Sequence, residues 1–324
     1  MKTRWVSSLR WAGPLLGLLA VYGLFAALVF AGRLQEGFLS RGNLETIARQ
    51  TAIVGTAALG MTLVIISGGI DLSVGAIVAL STVAIAAGLV AGLHPLAAAL
   101  LGVAAGALCG LISGTLITRL RVVPFIVTLG MLLIVRGGAK GIAREQKIDA
   151  PVSWLNSLMA TLRPDQRWML FPAGVWVLVL LAVAVALMLR YTALGRHIVA
   201  IGSNELTAQL CGVAVDRVKM IVYALSAAFA GLAGVMQFSR LTVGDPTVAV
   251  GLELDVIAAV VIGGGSLSGG EGSVLGTIVG ALIMSVIRAG CSQMGLPNWI
   301  QEIVTGTIIV LAVTLDRLRH RWSD

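Results

Sequence analysis

Apolar residues fill this chain in long runs that short polar stretches separate. Most runs reach about 20 residues, the length that an α-helix needs to cross the hydrocarbon core of a bilayer. The pattern predicts ten membrane-spanning helices, at 12–32, 45–67, 72–93, 95–118, 122–142, 169–190, 218–239, 252–264, 272–291 and 299–316. The run at 252–264 is short for a full span, so it is either a half-helix or a span completed by neighbouring backbone. The predicted fold is an all-α, polytopic membrane bundle that forms one domain over residues 1–324.

Composition agrees with this fold class. Of the 324 residues, 58% are hydrophobic and 12% are charged, and the mean hydropathy is +0.98. A soluble domain carries about 25% charged residues, and a membrane β-barrel shows short alternating segments, which this sequence lacks. The 40 glycines favour close helix packing through small residues spaced four apart. This spacing occurs at Gly102, Gly106 and Gly110, and again at Gly276 and Gly280.

Basic residues at both ends of the chain indicate its orientation. They are Lys2, Arg4, Arg10, Arg317, Arg319 and Arg321. An even number of spans puts both ends on one side, and short basic flanks favour the cytoplasm. The long connection at 143–168 then faces outward. The net charge of +8 is explained by these flanks and by contact with anionic membrane lipids, so it does not indicate a nucleic-acid partner.

The first apolar run is predicted to remain as a helix, because it is about 20 residues long and lacks a signal-peptidase site. No metal site is predicted. The three cysteines match no metal or redox spacing, and the three histidines are scattered at segment ends.

The most informative stretch is MTLVIISGGIDLSVG, at residues 61–75. Here an apolar run meets two glycines and a carboxylate before the apolar pattern resumes. Polar groups and irregular backbone at membrane depth are costly, so they lie where a helix is broken beside a cavity or a pathway. The stretch therefore points to movement of a solute across the membrane. The candidate path residues are Asn43, Gln50, Thr62, Ser67, Gly68, Gly69, Asp71 and Ser73.

Two interpretations of Asp71 remain open, and they are compatible. Its carboxylate suits a helix N-cap, where it would accept free backbone N–H groups, and it also suits a polar lining of the path. Similarly, Glu45 and Arg49 are spaced to pair on one helix face, whereas Asn43 and Gln50 offer hydrogen bonds to a polyhydroxylated solute.

The only sizeable polar stretch on the proposed inner side runs from Arg190 to Lys219. Within it, Ser203-Asn204-Glu205 is typical of a helix start, and Gly212 of a helix end. About 30 residues is long for an inert connection in a compact protein. We therefore expect a short amphipathic helix that docks on a cytoplasmic partner.

A second glycine-rich stretch, at 253–272, has acids at its start. The pattern places Glu253 and Asp255 at the outer mouth, near Arg240 and Asp245. It places an inner turn at Gly263, Gly264, Gly265, Gly269 and Gly270. The glycines lack both nucleotide-binding patterns, and the chain carries no ATPase module and no recognisable enzymatic motif. IISGGIDLSVGAIVAL and VIGGGSLSGGEGSVLGTIVGAL echo each other six spans apart, as in a parallel repeat.

Three stretches resemble the permease subunits of bacterial ribose-type ABC importers, which take up monosaccharides. They are GMTLVIISGGIDLSVG at 60–75, LGRHIVAIGSNELTAQLCGV at 194–213 and ELDVIAAVVIGGGSLSGGEGSVLGTIVGALIM at 253–284. The resemblance runs in the same order from about Asn43 to Asp316.

The resemblance implies a multi-pass protein of the bacterial inner membrane that acts with several partners. These are a second permease copy or a sister permease, a cytoplasmic ABC ATPase and a periplasmic sugar-binding protein. ATP and magnesium would bind the ATPase, so this chain would bind no cofactor and would not itself be an enzyme. The 194–217 segment would be the coupling loop, with contacts from Gly195, Arg196, Gly202, Asn204, Glu205 and Gly212.

The chain departs from the family pattern in two places. It has Thr207-Ala208-Gln209-Leu210-Cys211-Gly212 where relatives often have Ala-Ala-Arg-Leu-Ser-Gly, and the 143–168 loop matches poorly. The alternatives are a permease for another small polar solute such as a branched-chain amino acid, an ATP-independent transporter or channel, and a membrane scaffold. Acids near span ends disfavour an ion-coupled transporter, which needs charges in mid-span.

Overall fold

The computed structural model describes residues 3–31 and 36–321, and most of these residues are helical. The helices are α1 Thr3–Phe30, α2 Arg41–Ile66, α3 Val74–Val90, α4 Pro95–Arg119, α5 Pro124–Ile142, α6 Ala173–Tyr191, α7 Ala193–Ser203, α8 Glu205–Leu210, α9 Val215–Leu241, α10 Leu252–Ile262, α11 Val274–Gln293 and α12 Asn298–Arg321. Short 3₁₀ turns occupy Glu36–Leu39, Trp154–Ser157 and Pro164–Met169. Strands β1 Ile148–Asp149 and β2 Val243–Gly244 pair in antiparallel register.

The predicted all-α membrane bundle is confirmed. Seven helices, namely α1, α2, α4, α5, α6, α9 and α11, are long and apolar enough to cross a membrane. The other three predicted spans fall on α3, α10 and α12, which are helical but have shorter apolar stretches. The count of ten spans therefore stays a prediction.

The predicted orientation of the termini also stays a prediction. Lys2 lies outside the described residues, and so do the side chains of Arg4, Arg10, Arg317, Arg319 and Arg321.

Helix α2 lies at the centre of the bundle, and every residue from Thr51 to Ile66 is buried. Small residues explain how its neighbours come so close. A methyl group on Gly60 would lie only 2.7 Å from Ser226 Cα of α9, and one on Gly106 only 2.6 Å from the Ala227 carbonyl oxygen. Dispersion contacts hold membrane helices together, because lipid tails are as apolar as the helix surfaces. Close approach at glycine therefore substitutes for the hydrophobic driving force of a soluble core.

The predicted glycine contacts are found between α4 and α9 and between α10 and α11. Gly110 packs on the backbone of Tyr223, and Gly280 packs on the Ala259 carbonyl. At each contact an added methyl group would overlap backbone atoms.

The two ends of the bundle are built differently. At one end, which we call the coupling end, α7 and α8 lie beside the α2–α3 and α10–α11 connections. At the other, the strand end, β1 in the 143–172 connection pairs with β2 after α9. The Leu162 N–H donates to Glu45 Oε1 of α2 (2.8 Å), and the Met159 N–H donates to Ser239 Oγ of α9 (2.9 Å). The long connection is thus an ordered cover.

Replacing Gly60 by Ala tests the central packing. The added methyl group would overlap the α9 backbone, so we expect a loss of about 1–3 kcal/mol of stability. Gly130→Ala on α5 is the matched control, because nothing lies within 4 Å of its added methyl group. It should change stability little, or raise it by roughly 0.4–1 kcal/mol. Thermal unfolding in detergent measures both, and equal midpoints would contradict this packing.

Candidate functional site

The first interruption of a helix follows α2. The N–H of Gly68 donates to Ile65 O and that of Gly69 donates to Val64 O, both at 2.9 Å. Gly68 has a φ of +81°, a left-handed conformation that glycine adopts without the steric strain that other residues would have there. These bonds are those of a glycine C-cap, which satisfies the last carbonyl groups of a helix. The SGG sequence therefore ends α2 at Ile66.

After this cap the chain turns into the bundle. The Ile70 carbonyl oxygen accepts from Tyr223 OH (3.5 Å) and from Thr128 Oγ1 (3.4 Å). Tyr223 is eight residues into α9, which places it about 12 Å from the helix start. Helix α3 therefore begins well inside the bundle rather than at the coupling end.

Asp71 lies at this internal position and is completely buried. Its Oδ1 accepts from the Ser73 N–H at 2.9 Å and from Ser73 Oγ at 2.6 Å, while its Oδ2 has no hydrogen-bond partner. The N-cap interpretation of Asp71 is wrong in position. Ser73 occupies the N-cap of α3 without a side-chain cap, and Asp71 stabilises the turn before it.

The second interruption lies between α9 and α10. Helix α9 ends at Leu241, and Thr242, Ala249 and Gly251 adopt left-handed conformations before α10 begins at Leu252. Asp245 Oδ1 accepts from the N–H (2.8 Å) and the hydroxyl (2.6 Å) of Thr247 and forms a turn. The irregular stretch 242–251 therefore has internal bonds of its own.

The side chain of Arg136, on α5, binds backbone carbonyl groups of this stretch. Its Nη1 donates to Val248 O (2.5 Å) and Pro246 O (3.3 Å), and its Nη2 donates to Ala249 O (3.5 Å). Irregular backbone in a bilayer needs such partners, since water does not reach its carbonyl groups there. The Arg136 guanidinium supplies the hydrogen-bond donors for these carbonyl groups.

The two interruptions meet at Gly75, in the first turn of α3. A methyl group on Gly75 would overlap both Ala249 O and Glu253 Oε2. We call the group Gly75, Arg136, Ala249 and Glu253 the mid-bundle junction. In it, the beginning of α3 touches the beginning of α10.

The prediction that Glu253 and Asp255 lie at the outer mouth, near Arg240 and Asp245, stays a prediction. Asp255 forms an ion pair with Arg288 of α11, five residues and about 8 Å before the helix ends at Gln293. Gly75 lies about 22 Å from the end of α3 at Val90. The apolar run at 252–264 is indeed a short helix, and it begins inside the bundle because the chain before it folds inward.

The other predicted path residues do not join this junction. Asn43 connects the 3₁₀ turn to α11 at the strand end, by donating to Phe38 O (2.8 Å) and accepting from Gln293 Nε2 (2.7 Å). Gln50 is half-buried on α2. Thr62 donates to Ala58 O (2.7 Å) and contacts the hydroxyl of Thr277 at 2.8 Å. Ser67 donates to Val64 O within the cap of α2.

Sequence reasoning missed Arg136 and Tyr223. Arg136 was visible as one of two charged residues in the apolar run at 122–142, and it lies deeper in the run than Lys140. A charge within a membrane helix marks a functional position. Tyr223 carried no comparable signal, because a tyrosine in an apolar helix is common. Its contact with Ile70 is a product of the fold.

At the coupling end, Asn204 caps α8 by accepting from the Thr207 N–H (2.8 Å), as the sequence predicts. Gly212 follows the helix with a φ of +85°. Glu205 pairs with Lys219 of α9 at 2.7 Å. Gly195 packs against the Leu189 backbone at the turn from α6, and Arg196 is exposed. The structure adds α7, which the sequence did not predict.

Helix α8 presents exposed apolar side chains. Leu206 is 73% exposed and Leu210 is 89% exposed. Beside them is a groove of about 270 Å³, lined by Ala200, Ser203, Asn204, Thr207, Ala208, Cys211 and Val213. Exposed leucines around a groove at a polar end of the bundle are typical of an interaction surface.

The predicted inner turn brings three chain segments together through glycines. The Gly270 N–H donates to Ile66 O at 2.8 Å, and a methyl group on Gly202 would overlap both atoms. One on Gly269 would lie 3.0 Å from Gly68 Cα. We call this the glycine contact. It joins α7 directly to the chain that leads to Asp71.

The remaining glycines of the turn shape the end of α10. Gly264 and Gly269 have φ values of +89° and +87°, and Gly263 packs against the first turn of α11. The Gly265 N–H donates to Val260 O and closes the helix. Among the residues that the structure describes, no three His, Cys, Asp or Glu side chains are grouped as a metal site.

The chain matches the family described as branched-chain amino acid transport system / permease component over residues 43–313. It is 37% identical to the ribose import permease protein of Escherichia coli (strain K12) over 302 residues. The aligned residues cover 93% of this chain and 94% of that protein.

Two further relatives have similar identity. The ribose import permease protein of Bacillus subtilis (strain 168) is 39% identical over 296 residues, 91% of each chain. The fructose import permease protein of Rhizobium meliloti is 39% identical over 287 residues, 86% of this chain and 79% of that one. No solved structure matches. A family match of this extent, on a bundle with two interrupted helices, leads to one conclusion: the chain belongs to the family of transport-system permease components.

Proposed function

We propose that this chain is the permease subunit of an ATP-driven importer that takes up a monosaccharide delivered by a periplasmic binding protein. The observation that carries the proposal is the junction of two interrupted helices inside the bundle. Transporters place their solute site where broken helices expose backbone and helix ends near mid-membrane. The named relatives are import permeases for ribose and fructose, which supports a sugar as the solute.

The chain itself would guide the solute, and a separate ATPase would hydrolyse ATP. A ligand shifts a conformational equilibrium only by its differential affinity for the two states. Nucleotide on the ATPase and the loaded binding protein would each favour a different state of the permease. ATP and magnesium belong to the partner in this proposal, and this chain binds no cofactor.

The ATPase would dock on α7 and α8. The exposed leucines of α8 and the groove beside them supply an apolar anchor. The glycine contact provides the mechanical connection, because motion of α7 at Gly202 moves the chain at Ile66 and Gly68. That chain continues to Asp71 and the start of α3. The path residues Gly69 and Ser73 lie on the same connection.

The binding protein would dock on the strand end, where the 143–168 connection covers the bundle. Lys147 of this connection pairs with Asp245 at 3.3 Å, next to β2. Asp245 is followed directly by the stretch that Arg136 holds. Movement of the 143–168 connection on docking would therefore be transmitted through Asp245 to the mid-bundle junction.

A second permease copy would complete the path. Thr247 and Val250 of the irregular stretch are exposed, and Val250 is 74% exposed. Lipid-exposed irregular backbone does not occur within the hydrocarbon region of a membrane. This face would therefore line a water-filled space between the two copies rather than meet lipid tails. The complex would reside in the bacterial inner membrane with both termini of the chain in the cytoplasm.

The second candidate solute is a branched-chain amino acid, because the matching family is described by that transport system. Uptake by proteoliposomes that contain the permease with its co-purified ATPase and binding protein decides between them. We expect ATP-dependent uptake of labelled D-ribose, L-arabinose or D-fructose, and none of leucine. Leucine uptake alone would overturn the sugar assignment, and a chain that purifies without an ATPase would overturn the importer.

Leu206→Asp and Leu210→Asp test the docking surface. Desolvated hot-spot residues each contribute about 2 kcal/mol or more, so we expect affinity for the co-purifying ATPase to fall roughly 30-fold or more. Both side chains are exposed, so thermal stability should not change. Leu120→Asp, at the same end but at the α4–α5 turn, adds the same charge as a control. Unchanged ATPase affinity in the α8 variants would contradict the assignment.

Asp245→Asn tests the outer connection. A nitroxide spin label is attached to Ser157→Cys in a chain whose three native cysteines are Ala. The mobility of the label reports the mobility of the 143–168 connection. The Lys147 side chain is 66% exposed although Asp245 is buried, so solvent screens the pair and its contribution is at most about 1 kcal/mol. The mobile population should therefore rise up to about fivefold. Asp149→Asn, in β1, is the matched control. Equal effects of the two variants would contradict a specific role for the Lys147 pair.

The pH dependence of this pair has a definite sign. Burial raises the pKa of Asp245, but hydrogen bonds from Thr247 and the Lys147 ammonium outweigh it, and the pKa lies below its ordinary value of 3.8. The stabilisation is thus present above pH 3.8 and is lost as the pH falls through the folded-state pKa. Label mobility in the wild-type cover should be constant from about pH 8 to 5 and rise only under stronger acid.

A further inference from the structure

We propose that the mid-bundle junction is a binding site for a neutral, hydroxyl-rich solute in transit, with Glu253 as the residue that accepts a solute hydroxyl. The inference rests on the proposed function and assigns a site to it. Three features of the junction carry it: an unsatisfied acceptor atom, a backbone stretch whose open face lipid cannot cover, and balanced charges.

The unsatisfied acceptor is Glu253 Oε2. The other carboxylate oxygen, Oε1, accepts from the Gly251 N–H at 3.2 Å. Oε2 is buried against α3 and has no hydrogen-bond partner. A buried oxygen without a donor is costly, and it is retained where a function needs it. A sugar hydroxyl is a donor that satisfies such an oxygen without bringing a charge into the bundle.

The junction is closed in this structure. No methyl group fits between Gly75 and the atoms of Ala249 and Glu253 that it touches. A monosaccharide is larger than a methyl group, so α3 and the 242–251 stretch must separate for it to pass. Glycine at position 75 allows tight closure, and the unsatisfied carboxylate oxygen meets the solute when the two segments part.

The open face of the stretch supports a water-filled approach. Val250 and Thr247 are exposed beside Glu253, although α10 begins inside the bundle. Leu133 of α5 is exposed to a similar degree, 68%, but it lies on an unbroken helix whose backbone groups are satisfied. Lipid can cover the Leu133 face, whereas the interrupted stretch needs water or protein.

The charges at the junction favour a neutral solute. Arg136 and Glu253 face the same stretch of backbone and carry opposite charges. Arg136 already donates hydrogen bonds to backbone carbonyl groups, so its charge is stabilised by fixed protein dipoles. A neutral solute leaves this balance undisturbed.

Glu253→Gln tests the assignment in proteoliposomes that contain the whole complex, with the binding protein saturated by D-ribose, L-arabinose or D-fructose. The variant keeps the size of the side chain and removes its charge. For the sugar that the wild type imports fastest, we expect uptake to fall at least about tenfold, the effect of a lost charged hydrogen bond. Thermal stability should be retained, and so should stimulation of the ATPase by the binding protein.

Glu302→Gln is the matched control. Glu302 is an exposed acid of α12 and lies outside both the coupling loop and the 143–168 connection. Uptake by this variant should equal that of the wild type. Monodeoxy analogues of the sugar separate contact from structure. If Glu253 accepts one hydroxyl, the variant loses less with the analogue that lacks it, whereas a structural defect slows all analogues by one factor. Equal loss for all analogues, or normal uptake, overturns the proposal.

A second measurement does not depend on the Glu253 variant. Val250→Cys and Leu133→Cys are placed singly in a chain whose Cys109, Cys211 and Cys291 are Ala. A charged, water-soluble methanethiosulfonate should label position 250, and saturating sugar should slow this labelling in the working complex. Position 133 should stay unlabelled. Absence of labelling at position 250 overturns the site, whereas a wild-type complex that imports none of the sugars overturns the function on which it rests.

Discussion

The structure depends on one constraint: within a bilayer, the chain itself must satisfy every backbone N–H and C=O group. Continuous helices meet this constraint without help, and most of the bundle consists of them. Two segments do not, the connection from Ser67 to Ser73 and the stretch from Thr242 to Gly251. In each, side chains of neighbouring helices donate to some of the carbonyl groups that lack helical bonds. Tyr223 and Thr128 serve the first, and Arg136 serves the second.

Small residues make these interruptions possible. The glycines of α4 allow α9 to approach closely, and this approach brings Tyr223 to the Ile70 carbonyl. Gly75 does the same for α3 and the start of α10. A bundle of larger residues would hold the helices apart and leave the interrupted segments without partners. The packing and the proposed path are therefore consequences of the same residues.

The two ends of the bundle reach its middle through different contacts. At the coupling end, Gly202, Gly269 and Gly68 place α7 directly against the chain that leads to Asp71. At the strand end, Lys147 and β1 hold the residues just before those bound by Arg136. In the proposed importer, the ATPase and the binding protein would act on these two ends. Each would then bias one of the two segments that meet at Gly75.

The sequence by itself determined the membrane bundle, the break after α2 and the cap of α8, because these depend on local patterns. A run of about 20 apolar residues can only be a helix in lipid, SGG ends a helix, and Asn204 caps the next one. It did not determine that Asp71 stabilises a turn, that Glu253 contacts Gly75 of α3, or that Tyr223 and Arg136 support the breaks. Those facts are decided by how far the irregular segments fold inward, and that distance depends on contacts between residues as far apart in sequence as Gly75 and Ala249.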